Sequence, residues 1–348
     1  MIAFRILQGA AGGFLLPVGA TLLMQAAGPH RIGRVTAAVS VPAQIAPIVG
    51  PLIGGLIVES VSWRWCFFLN VPVCLLAAAL AHRLVPAVPG QPAQRLDVRG
   101  LAMLAPALGA LTYGLTQSGP ATVGALVVGI GLVAAFVVHA LRTDIPLIDV
   151  RLFAQRSFAG ATVMLFLLSG SLFGSMVLVP LYVQQVQGAG ALAAGAALAP
   201  QFVGTLVALT FVGKLADRLP AQDVVLGGVL LAVLGTLPFT QVGSDADVVL
   251  PAVALFVRGI GFGAATVTLV TAAYRDIDQA QVPRATSALQ IGQRIGAPFG
   301  AAVIAVVLQH QLVAAPPAAA YATTFWWTLA LTAPALLPVV FLRRSVSR

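Results

Sequence analysis

Apolar residues run for about twenty positions at a time along this chain, and charged, Pro-rich and Gln/Gly-rich stretches punctuate them. Eleven runs lie near 1–27, 35–58, 65–81, 98–117, 121–141, 157–182, 192–213, 222–242, 248–272, 285–312 and 320–342. A helix needs about 20 apolar residues to cross a hydrocarbon core ~30 Å thick. A barrel strand would need about ten, in strict alternation. The pattern therefore predicts an all-α polytopic membrane protein with about eleven transmembrane helices. Composition agrees: of 348 residues, 59% are hydrophobic and 8% charged, far below the charge of a soluble domain.

The net charge of +9 could suggest a nucleic-acid partner, but the basic residues come in twos and threes between apolar runs. They read as topology signals. The odd-numbered loops and the C-terminal tail hold 15 of the 19 Lys and Arg residues, and the even-numbered loops hold only Arg64. The bias of basic residues towards the cytosol then places the tail and the odd loops inside. Trp63, Trp65, Trp326 and Trp327 fall at the outer ends of spans, as an interfacial belt would. Cys66 and Cys74 share one apolar run and read as buried thiols, neither a metal pair nor a disulfide framework. The histidines, His30, His82, His139 and His310, are scattered, so no metal, cofactor or catalytic constellation is expected.

A shift of 250 residues lays the first two runs over the ninth and tenth. Gly9 and Gly13 then meet Gly259 and Gly263, Arg34 and Thr36 meet Arg284 and Thr286, and Gly50 meets Gly300. Glycines four apart share one helical face and let helix backbones approach closely. Parallel internal repeats are the mark of transporter halves related by an axis along the membrane normal. If the ninth run is the fourth helix of its half, so is the first. Three helices are then expected upstream of Met1, which would return the N-terminus to the cytosol.

Several of these residues match known motifs. Arg5 to Gly13 (RILQGAAGG) resembles the fourth-helix motif of the major facilitator superfamily, and Ala46 to Gly55 (APIVGPLIGG) resembles its fifth-helix antiporter motif. Trp63 to Pro72 (WRWCFFLNVP) looks like the start of the sixth helix in the fourteen-span drug:proton antiporters, the EmrB/QacA group. Gly213 to Arg218 (GKLADR) is similar to the superfamily's cytosolic loop motif. The chain departs where the antiporter motif expects glycine, at Ala37 and Ala46, and its loop motif ends in Leu219, Pro220 and Ala221 in place of a basic tail. The resemblance implies a major-facilitator fold lacking its first three helices. Helices four to six would occupy 1–81 and a cytosolic linker 82–97. An inserted two-helix hairpin would follow at 98–141, a second linker at 142–156, a six-helix bundle at 157–342 and a cytosolic tail at 343–348.

Arg258 and Arg294 lie about ten residues inside their runs, near mid-membrane, where a lipid-facing charge would cost several kcal/mol. Both are expected to face a water-filled path. Gln8, Gln44 and Asn70 are candidate cavity-lining residues beside them, and the resemblance links Arg5 to proton coupling. It also assigns Ala46, Gly50, Pro51, Gly54 and Gly55 to the antiporter motif. Gly213, Asp217 and Arg218 fall to the loop motif, whose acid and base could form a charge relay.

The expected function is secondary active transport: proton-coupled efflux of drugs or amphiphilic metabolites by alternating access, from the cell membrane. Its partners would be a small-molecule substrate, protons and the bilayer, with a periplasmic adaptor if the cell is Gram-negative. A non-transporting remnant or a gene read from too late a start is the main alternative, and a multi-span membrane enzyme a weaker one. All ten acidic residues fall in loops or at span ends, so the 348-residue chain by itself is expected not to couple transport to protons.

The topology can be checked by single-cysteine labelling of intact cells. Ser244→Cys is expected to react from outside and Ser347→Cys to be protected, and the opposite pattern would overturn the orientation.

Overall fold

The computed structural model describes residues 4, 7–9, 11–13, 15, 19, 32–84, 97–116, 120–144, 146–216, 218–241, 249–275, 277 and 281–341. Every regular element among them is helical. In order these are α1 (Ile32–Ser60), α2 (Trp65–Phe68), α3 (Asn70–Leu84), α4 (Val98–Thr116), α5 (Pro120–Arg142), α6 (Arg156–Gln185), α7 (Ala191–Ala196), α8 (Ala199–Ala216), α9 (Ala221–Leu234), α10 (Val249–Ala273), α11 (Val282–Ala314) and α12 (Pro317–Thr332). Short 3-10 turns follow at Val150–Ala154, Leu237–Gln241 and Ala333–Phe341. The chain divides into two compact units within α1, Met1–Gly50 and Pro51–Arg348. The described residues of the smaller unit are helical, and its Phe4, Leu7 and Leu15 are exposed apolar side chains.

Eight helical segments among the described residues are long and apolar enough to cross a membrane, from Trp65–Leu84 to Arg284–Ala314. The first expected run lies mostly outside the described residues. The second falls within α1, a helix of 29 residues. The eleventh is divided, because α12 stops at Thr332 and continues as a 3-10 turn around Pro334. A proline cannot supply the N–H that an α-helix needs at that position. The run expected at 192–213 is likewise broken into α7 and α8, and that at 222–242 ends its α-helix at Leu234.

Apolar contact with lipid is as favourable as apolar contact between helices, so small residues do the joining. On α6, Thr162, Phe166, Gly170 and Gly174 meet Gly292, Gly296, Gly300 and Ile304 of α11, step for step at intervals of four. The two helices run parallel, and a side chain on Gly300 would overlap the Gly170 backbone. The parallel pair α8 and α10 closes in the same way, with Gly259 against the Gln201 carbonyl and Gly263 against Thr205 and Ala208. The other face of α10 takes α9, where Gly261 and Gly228 each lie against the other's carbonyl. The core runs through Phe158, Met164, Leu165, Val229, Phe262, Leu269 and Leu289.

The hairpin of α4 and α5 joins this core. Leu104 and Phe136 are buried with Ile148, Leu152 and Phe158, and α4 packs on α11. By contrast, α3 has no buried residue, and Cys74 on it is exposed while Cys66 is half-buried. This corrects the expectation of two buried thiols. An apolar thiol loses little by facing hydrocarbon, so hydropathy could not distinguish the two placements.

A polar knot fastens the hairpin at the loop end of α5. The Asp97 side chain, 6% exposed, accepts hydrogen bonds from Gly100 N at 2.8 Å, Leu147 N at 3.1 Å and His139 Nε2 at 2.9 Å. The first of these satisfies an otherwise orphaned N–H in the first turn of α4. Burial alone would raise the Asp97 carboxyl, but the bonds from Gly100, His139 and Leu147 outweigh it and hold it below its ordinary value of 3.8. A depressed carboxyl stabilises the fold at and above that ordinary value, and the contribution disappears as pH falls through the lower, folded-state value.

Asp97→Ala is expected to lower the unfolding free energy by about 1–3 kcal/mol at pH 7. In the same variant the amide of Leu147 should exchange faster. An unchanged unfolding midpoint would show that the knot contributes nothing.

Candidate functional site

Arg258 is the largest fully buried side chain among the described residues, at 1% exposure. Two glycines make room for it. Gly259 brings α8 against α10, and a side chain on Gly235 would stand 2.7 Å from the Arg258 Cβ. The guanidinium then reaches three neighbouring segments. Its Nε donates to Thr236 Oγ1 at 3.1 Å, Nη1 to Gln201 Oε1 at 2.6 Å, and Nη2 to both the carbonyl and the hydroxyl of Ser171 at 3.0 Å. Its carbon also lies 4.7 Å from the centre of the Phe262 ring. A cation this deep needs its N–H groups satisfied, and the rigid fork of arginine suits several acceptors at once.

The Gln201 Nε2 and Thr328 Oγ1 atoms are buried without a partner beside this network. Ser171 links it to α12, through the Thr328 carbonyl at 3.3 Å and through the Thr332 hydroxyl.

About one turn along these helices from Ser175, Gln201 and Arg258 lies an apolar cavity of about 310 Å³. Val179, Tyr182, Pro200, Phe239 and Leu255 wall it, with Gln187 at its edge. Tyr182 packs edge-on against Tyr321, whose hydroxyl donates to Gln185 Oε1 at 2.9 Å.

Arg294 is placed quite differently. It is exposed on α11, on one face with Gln290 and Ser287, four and seven residues away. The opposite face of α11 carries Gly292, Gly296 and Gly300 into α6. The two arginines were indistinguishable by depth in the sequence, and packing separates them into one enclosed and one open cation.

The remaining candidates are dispersed. Arg5 and Asp217 lie outside the described residues, as does the Gln44 side chain. Gln8 is exposed, and Asn70 donates back to the Cys66 carbonyl at 3.1 Å. Gly213 and Arg218 are exposed, the former with nothing near its Cα hydrogens. In the antiporter motif, Ala46 and Gly50 are exposed, and no atom crowds Gly50 or Gly54. Pro51 and Gly55 instead pack against α7: a side chain on Gly55 would meet Ala191 O at 2.5 Å, and one on Gly195 would strike the Pro51 carbonyl.

Sequence reasoning had not placed Ser171, Thr236 or Glu59 in any contact. Single hydroxyls in apolar helices carry no period, so only the fold could bring the first two to Arg258. Glu59, exposed at the end of α1, accepts from Leu192 N at 3.1 Å.

Arg258→Lys keeps the charge but cannot span Thr236, Gln201 and Ser171 together. It is expected to lower stability in detergent by about 1–3 kcal/mol, read from the thermal unfolding midpoint. An unchanged midpoint would mean that the fork is dispensable.

Residues 1–301 match the Major Facilitator Superfamily. The "Multidrug resistance protein B homolog" of Mycobacterium tuberculosis (strain ATCC 25618 / H37Rv) is 36% identical over 89% of this chain and 59% of its own length. The "Putative multidrug resistance protein MdtD" of Cronobacter sakazakii (strain ATCC BAA-894) is 29% identical, over 99% of this chain and 75% of that protein. "Multidrug resistance protein 3" of Bacillus subtilis (strain 168) is 26% identical, over 88% and 61%. The chain thus spans about three-fifths of the length of the mycobacterial relative. With its spanning helices and its match over residues 1–301, this chain belongs to the Major Facilitator Superfamily.

Proposed function

We propose that the chain belongs to a secondary active transporter that exports drug-like or amphiphilic small molecules, with protons as the coupling ion. The observation that carries this reading is the stripe of Ser287, Gln290 and Arg294, exposed on a helix otherwise fit to span a membrane. Arg294 lies about ten residues into the span Arg284–Ala314, or roughly 15 Å of rise. An open cation at that depth is tolerated where it lines a water-filled path and is disfavoured against lipid. The names of the three relatives given above, each a multidrug resistance protein, support the same substrate class.

In this reading Arg258 is a structural cation that fixes α6, α8, α9 and α10 as one body, while Arg294 meets the cargo path. The apolar cavity beside Leu255 would accept the hydrocarbon part of an amphiphile, as pockets with few polar groups do. Alternating access then requires the C-terminal bundle to rock as a unit against helices four to six. The hairpin of α4 and α5 would travel with that bundle, to which Asp97 and the Leu104–Phe136 contacts tie it. Export as the direction rests on the Gly50–Pro51 run and its family association.

The test is reconstitution of the chain in liposomes with an imposed pH gradient, followed with a fluorescent amphiphile and an internal pH dye. Saturable binding of the amphiphile is expected, weakened about tenfold by Arg294→Ala. Because no acidic residue sits at mid-membrane in the sequence assignment, the gradient should not collapse on adding substrate. Wild-type binding by Arg294→Ala would remove the polar stripe from the path, and substrate-dependent collapse would show that the helices present are enough for coupling.

A further inference from the structure

The last turns of α1 meet α7 along a seam with a period of four. Pro51, Gly55 and Glu59 share one face of α1. Opposite them, the Pro51 carbonyl lies against Gly195, Gly55 against Ala191 and Leu192, and Glu59 against Gly190 and Leu192. The first two contacts are backbone on backbone and carry no charge. Only the third can be switched chemically.

Gly190 lies directly against the third contact. Its backbone, at φ −68° and ψ 170°, is a conformation open to any residue, so glycine is not required there for flexibility. It leaves room. A Cβ on Gly190 would sit 3.1 and 3.2 Å from the two Glu59 carboxylate oxygens, so the carboxylate would have to give by a few tenths of an ångström. With glycine there, the exposed Glu59 side chain reaches Leu192 N at 3.1 Å without that displacement.

We propose that Glu59 is the releasable bond of this seam, and that its protonation lets α1 part from α7 at the end of the membrane that the charge asymmetry assigns to the outside. The hydrogen bond is charge-assisted while the carboxyl is ionised and weakens when it becomes a neutral acid. Among the described residues of these two segments, no other titratable side chain competes. Residues 186–200 contain none, and Glu59 is the only one in Ile45–Ser60. Beyond them, Tyr182 lies on α6, and Arg64, in the turn after α1, stacks at 5.4 Å over the Trp63 ring. The proposal rests on the transport reading for its purpose, since a seam that opens under external acid would favour an outward-facing state.

Hydrogen exchange of the full chain in detergent tests it without any substrate. Peptides covering 190–196, corrected for intrinsic exchange chemistry, should lose protection as the solution is acidified, while peptides from 170–180 stay protected. Glu59→Ala should show at neutral pH the lower protection that wild type approaches in acid, and Glu59→Gln should show no pH dependence. Gly190→Ala, which leaves the carboxyl in place, should behave like Glu59→Ala. Equal exchange in wild type, Glu59→Ala and Gly190→Ala would overturn the latch. If Glu59→Ala fails to fold, a flat wild-type pH series does so alone. A pH-dependent seam in a chain that binds no amphiphile would leave the latch standing and sink the transport reading, and the reverse result would do the opposite.

Discussion

Every tight contact in this molecule answers one constraint. In a bilayer, pressing one apolar helix against another gains little over leaving both in lipid, so cohesion must come from backbone proximity and from polar groups that find one another. The seams between α6 and α11, α8 and α10, and α9 and α10 are all built that way, around Gly170 and Gly300, Gly259 and Gly263, and Gly228 and Gly261. Because α10 presents glycines on two faces, it binds α8 and α9 at once. Exposed Leu, Val and Phe side chains are then the ordinary outer surface of a helix in hydrocarbon.

The same close approach makes the buried Arg258 tolerable. With Gly235 and Gly259 drawing helices in, Thr236, Gln201 and Ser171 come within reach of a single guanidinium, from three directions. An acidic partner would bring a second desolvated charge, whereas neutral acceptors satisfy the N–H groups without one. The cation in turn ties together the segments that carry Ser171, Gln201 and Thr236.

Polar fastening recurs where helices leave the membrane. Asp97 joins α4, α5 and the Leu147 loop, and Asp149 bonds Arg151 N at 3.1 Å and pairs with the half-exposed Arg284 at 3.9 Å. The second pair is long and open to solvent, and so contributes little. The Asp97 knot and the shared core of Leu104 and Phe136 hold the hairpin.

Much of the architecture was legible in one dimension. About twenty apolar residues per span are imposed by the thickness of the hydrocarbon core, and the offset of 250 residues pointed to the Gly259–Gly263 spacing that does pack. Hydropathy did not show the breaks within spans, since the α7–α8 junction and the ends of α9 and α12 are as apolar as their neighbours, although Pro334 marks the last of them. Nor could hydropathy say how a helix is rotated about its axis. Arg258 and Arg294 sit at similar depths, yet one is enclosed and one open, because glycines on particular faces chose the partners. Depth follows from composition along the chain, but the direction a side chain faces follows from which backbones can approach, and only the tertiary structure decides that.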